Sequence, residues 1–231
     1  MNIAEKLTKI AENQQKVYDA GKKAEYDRFW DSYQQNGERV NYGFAFAGLW
    51  YDDIFYPKYD LIVASTGYMF YSSMITNLAE RLKECNVILD TSNATSLDNC
   101  FAYSLITHIP EISAINVSSF GAVFNKVRKV HTIDKLILKD DGSQTFSANT
   151  FSECAALKNI IIEGTIGQNG FNVSNSTKLT HDSLMSIINA LKDYSGSGTT
   201  HTVTLGSANL SADKLSDTEK AIATEKGWTL A

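Results

Sequence analysis

Four histidines, three cysteines and two adjacent aspartate pairs are the residues of this chain whose chemistry could extend beyond packing. His181-Asp182 would become a catalytic pair only beside a nucleophile motif, and none of G-x-G-x-x-G, the phosphate-binding loop, H-E-x-x-H or G-x-S-x-G occurs. In the first turn of a helix the pair reads as solvated or capping, and His108, His131 and His201, in or beside strands, read as surface or satisfied residues. Asp52-Asp53 and Asp140-Asp141 could ligate a cation only with oxygens from other segments, so they read as turns. Cys85, Cys100 and Cys154 are odd in number and lack C-x-x-C spacing, which suits buried free thiols better than zinc or a disulfide framework. The expectation is a chain that is not an enzyme, with no catalytic, cofactor-binding or metal-binding residue and no cofactor.

Ligand binding without catalysis has one aromatic candidate. Residues 42–59 hold eight of the 25 aromatics, a density that needs a purpose. One reading is an apolar cap over the end of a stacked array, with Tyr42, Phe44 and Phe46 alternating as a half-buried strand does. The other is a ligand platform, suited to a sugar, formed by Trp50, Tyr51, Asp52 and Asp53.

The elements that must position these residues begin with literal heptads over 3–24: IAEKLTK, IAENQQK, VYDAGKK. Ile3, Leu7, Ile10, Gln14, Val17, Gly21 and Ala24 alternate by four and three, the spacing of a coiled-coil seam. Glu5–Lys9, Glu12–Lys16 and Asp19–Lys23 are acid-to-base pairs at i, i+4, each contributing about 0.3 kcal/mol. Isoleucine and valine at one seam position with leucine at the other favour more than two strands, so a homotrimer is expected. The alternative is a single amphipathic helix lying on its own domain. After Ala24 the stripe rotates to Tyr26, Phe29, Trp30 and Tyr33, and Asn36-Gly37 supplies a stop.

Through residues 65–162 an aromatic is followed five or six positions later by an aliphatic, and three further on by another. The copies are Phe70–Ile75–Leu78, Phe101–Ile106–Ile109, Phe124–Val130–Ile133 and Phe151–Leu157–Ile160, their aromatics 31, 23 and 27 residues apart. Such periods belong to stacked supersecondary units, none of which can bury its apolar face alone. β-rich runs lie between them, LIVAS at 61–65, NVILD at 86–90, KLILK at 135–139 and NIIIE at 159–163, expected as one strand per repeat in a parallel sheet. The segment NTFSECAALKNIIIEG resembles the BspA-like class of bacterial leucine-rich repeats. The likeness covers about residues 59–178 and implies a leucine-rich-repeat-like solenoid, a fold that hosts many unrelated binding roles.

Thr180 is a plausible N-cap before Leu184, Ile187, Ile188 and Leu191, and Ser216 with Glu219 forms a capping box for a last helix before Gly227. Strands are expected over 200–206 and in the closing GWTL. This closing segment, with the opening KVYDAGKKAEYDRFWDSYQQNG, resembles repeat proteins encoded by phages and prophages of Gram-positive bacteria. The fold expectation is therefore α/β: an N-terminal helix over 1–37 able to form a coiled coil, an aromatic cap over 38–60, the solenoid over 61–178, and a helix-strand-helix cap over 179–231.

A net charge of −5 and a pI near 5.4 give no basic footprint, which argues against nucleic acid as a partner. No run approaches 18 apolar residues and the first residues alternate charged with apolar, so neither a membrane span nor a signal peptide is expected. The functional expectation is a binding or structural protein of a phage or prophage particle, made in the cytoplasm and engaging a protein or a cell-surface glycan. The alternatives are a bacterial leucine-rich-repeat adhesin or protein-binding module and, third, a glycan-active enzyme.

Overall fold

The computed structural model describes residues 9, 12–14, 16, 17, 20, 21, 23–25, 27, 28, 47, 48, 55, 57–63 and 67–231. Its elements in chain order are β1 (Leu61–Ile62), α1 (Leu78–Cys85), β2 (Leu89–Asp90), β3 (His108–Ile109), β4 (Ile112–Ser113), β5 (Ser119–Phe120) and β6 (Thr132–Ile137). There follow β7 (Thr145–Phe146), β8 (Asn159–Glu163), α2 (His181–Asn189), β9 (His201–Val203), α3 (Asp217–Glu225) and β10 (Trp228–Leu230).

The expected solenoid with one aligned sheet behind a long N-terminal helix is corrected. Among the described residues the structure is mixed α/β, and its short parallel strands are divided among separate sheets: β1 with β2, β5 with β7, β9 with β10, and β6 with β3, β4 and β8. The bounded helices have only eight or nine residues. Specific residues cut the strands. Asn86 closes α1 in the left-handed region at φ 54, and the Val87 N–H returns to the Leu82 carbonyl, so the run NVILD keeps only Leu89 and Asp90 as strand. Pro110, which has no N–H, separates β3 from β4. The run KLILK yields a strand that begins earlier, at Thr132, whereas NIIIE coincides with β8. The longest interval between aromatics, from Phe70 to Phe101, is the one that contains α1.

The core is nevertheless continuous from Phe55 to Trp228. Phe70, Phe101, Phe124 and Phe151 are buried and stacked in order, with ring centroids 5.5, 5.7 and 5.1 Å apart. A second stack joins Phe120 to Phe146 at 4.7 Å, and both lines meet at Phe171. Two residues beyond each ring of the first stack the chain turns through the left-handed region, at Ser72, Tyr103, Lys126 and Glu153, with φ between 54 and 62°. Such a conformation costs about 1–2 kcal/mol in a non-glycine residue. At Ser72, Tyr103 and Lys126 the backbone N–H gains a partner there, the carbonyl of Ala102, Asn125 or Ser152 on the neighbouring turn.

Of the proposed seam, Ile3, Leu7 and Ile10 lie outside the described residues, whereas Gln14, Val17, Gly21 and Ala24 are described and exposed. At the other end Thr180 accepts the Ser183 N–H as the N-cap of α2, and Ser216 with Glu219 makes the reciprocal capping box of α3.

Candidate functional site

The platform residues Trp50, Tyr51, Asp52 and Asp53 lie outside the described residues. The described residues concentrate polar chemistry instead on the exposed face of the sheet centred on β6, and a bulge is the reason. In the β6 sequence TIDKLI, Ile133 and Leu136 are both fully buried. Strict alternation would place Ile133 and Leu136 on opposite faces, because successive side chains in a strand point to opposite sides. The register shift resolves the conflict: Ile133 pairs with Ile160 and Leu136 with Ile162, so Asp134 and Lys135 together oppose the single residue Ile161 of β8. On the other side of β6 the same interval is matched by Pro110 and Glu111, between inward-facing Ile109 and Ile112.

The bulge lets one strand serve two neighbouring acid–base–acid bridges. His108 on β3 places Nδ1 2.7 Å from Oε1 of Glu80 on α1 and Nε2 2.6 Å from Oδ1 of Asp134. Lys135 places Nζ 3.0 Å from Glu163 of β8 and 3.3 Å from Glu111. Partial burial is the largest single influence on His108 and pulls its pKa down. The hydrogen bonds and charges of Asp134 and Glu80 together outweigh it, so the net shift is upward from the ordinary value of 6.5. Lys135 is likewise raised, chiefly by its hydrogen bond to Glu163 and then by that to Glu111. With a carboxylate at each ring nitrogen, His108 has none left to activate a nucleophile. The arrangement is suited to presenting charge, and Ile161, 54% exposed, stands beside it.

The same face contains a groove of about 690 Å³. It opens where β2 and β4 fail to join: among the described residues β2 pairs only with β1 and β4 only with β6. Side chains tie them instead, the Thr91 hydroxyl donating to the Ser113 carbonyl at 2.9 Å and the Asn116 amide to the Ser92 carbonyl at 2.7 Å. Leu82, Val87, Ile88, Leu89, Pro110 and Ile137 supply its apolar lining, and Ile88 is 61% exposed.

The other candidates divide clearly. His181 is not simply solvated: Nε2 lies 2.7 Å from Glu219, which joins α2 to α3, and this hydrogen bond chiefly, with that to Asp182, raises its pKa. Its partner Glu219 is held down at about 2, first by His181 and then by Ser216. His201 stacks on Tyr194 with centroids 4.0 Å apart and lies 5.1 Å from Trp228. Asp141 accepts the Ser143 N–H at 2.8 Å in a turn. Cys100 and Cys154 are buried, and burial pushes both thiols up to about 12. Among the described residues no group of three or more histidines, cysteines and carboxylates is placed to hold a metal ion.

The chain matches no protein-family model, no curated protein and no solved structure. The two ion bridges are not local in sequence: the carboxylates that meet His108 lie 28 and 26 residues from it, those that meet Lys135 come from beyond its own strand, and only strand register brings them together. One local signal existed: two apolar residues three apart, Ile133 and Leu136, inside a strand-forming run.

Proposed function

We propose that this protein is a non-enzymatic binding protein of a phage or prophage particle that engages a protein or cell-surface partner through the bulged face around β6. The observation that carries the reading is the bulge. It places Asp134 and Lys135 side by side on the exposed face, next to an open apolar groove and the exposed Ile161. Bulges recur where a strand must re-aim side chains toward a functional surface. Exposed aliphatic side chains rimmed by charge are a common mark of an interaction site. The particle setting is supported by the likeness of the opening and closing segments to phage-encoded repeat proteins. Assembly as a trimer through the heptads over 3–24 completes the proposal, since several weak sites on one assembly raise avidity by roughly 10²–10⁴ when they can engage together.

The test is sedimentation of the purified chain with envelope fragments of the host bacterium, alongside an assay for release of soluble sugar or peptide. Binding without release is expected, and Ile161→Asp should weaken it. Release of soluble products in proportion to protein would replace this reading with an enzyme.

A further inference from the structure

We infer that the groove between β2 and β4 takes a short cationic peptide segment carrying a large apolar side chain. This rests on the binding role proposed above and names its ligand chemistry. The groove is apolar where a side chain would enter, with Leu82 and Leu89 buried and Val87, Ile88 and Ile137 at the sides. Among the described residues no aromatic ring lines it, whereas aliphatic side chains do, which suits an aliphatic group better than a sugar. Thr91 and Asn116 hold its two walls together, so it is a slot for an inserted side chain and leaves no room for a further strand between β2 and β4.

Charge decides the sign of the partner. Asp90 and Glu111 line the groove, Asp60 holds the Ile88 N–H at 3.0 Å, and Glu80, Asp134 and Glu163 stand along the adjoining face. Among the described residues, the lining sets Lys83 and the face sets Lys135 against these six carboxylates, with His108 neutral above its pKa. Arg81 of α1 is matched by Glu84 at 2.8 Å. A lysine- or arginine-bearing segment is therefore attracted, and an anionic peptide or an anionic lipid surface is repelled.

Three fluorescein-labelled nonapeptides test this with the full chain: one of Gly, Lys and Leu, one with Glu for every Lys, and one with Gly for every Leu. Fluorescence anisotropy should show binding of the first alone, weakening as salt is added. Ile88→Asp and Glu111→Lys change exposed side chains, and unchanged melting curves would show that they leave the fold intact. Each should weaken the Lys/Leu peptide by at least about tenfold. In the methyl spectrum of the isoleucine-labelled protein, Ile88 and Ile137 should shift on titration. Equal binding of the Glu/Leu peptide, or affinity unchanged by Ile88→Asp, would overturn the inference. So would no binding of the Lys/Leu peptide at millimolar concentration. Envelope binding by a chain that ignores the Lys/Leu peptide would remove this inference and leave the proposed function standing. Loss of both would remove both.

Discussion

Replacing Phe124 with alanine should unfold a large part of the stability of this protein, because its ring is engaged on both faces. It is fully buried and lies 5.7 Å from Phe101 and 5.1 Å from Phe151, both near parallel. Emptying a buried phenylalanine site costs about 3–5 kcal/mol, and rigid aromatic neighbours on two sides resist collapse into the void, which places Phe124→Ala in the upper half of that range. Phe124→Leu retains most of the apolar volume and should cost about 1–2 kcal/mol, from imperfect shape and two lost aromatic pairs. Set against a total stability of about 5–15 kcal/mol, the alanine change removes roughly a quarter or more. Guanidinium unfolding followed by circular dichroism measures it: the midpoint should fall steeply for alanine and modestly for leucine, with an unchanged slope. A loss below about 1 kcal/mol for Phe124→Ala, the range of ordinary surface changes, would refute the column as the spine of the core.

Three further outcomes follow from the same geometry. The pKa of His108 is raised on folding, so the stability from its two bridges is full below the unfolded value near 6.5 and is lost as pH rises through the folded pKa. Urea unfolding of the native chain should therefore weaken between pH 5 and 8 by less than about 1 kcal/mol from this site, and His108→Gln should flatten that part of the profile. Native protein should release only the Cys85 thiol to a mild alkylating reagent, with Cys100 and Cys154 reacting after unfolding; rapid loss of all three would contradict their burial. Light scattering should show a trimer that Leu7→Asp dissociates, since the change puts charge into the proposed seam; a native monomer at micromolar concentration removes that proposal.

What could be read from sequence was local. Thr180 and the pair Ser216 and Glu219 announce helix starts because the capping hydrogen bonds lie within a few residues. The phenylalanines at 70, 101, 124 and 151 announce burial because each repeats one apolar spacing. The division into separate sheets could not be read the same way. It depends on how many residues Asn86 and the α1 end consume before β2, and on Pro110 interrupting the edge of β6's neighbours. The site was hidden for a related reason. Lys135 opens the β-rich run KLILK, and only Ile133, three residues before the buried Leu136, reveals that the inward alternation slips. Glu80, His108 and Asp134 come from three elements, so nothing in their own neighbourhoods signals that they meet.

The claim that the bulged face is the binding surface is tested most directly by hydrogen exchange of the full chain with and without host envelope fragments. The account predicts new protection confined to residues 88–92, 108–113, 134–137 and 159–163. Protection at the turn row of Tyr103, Lys126 and Glu153, with none at those segments, would contradict it.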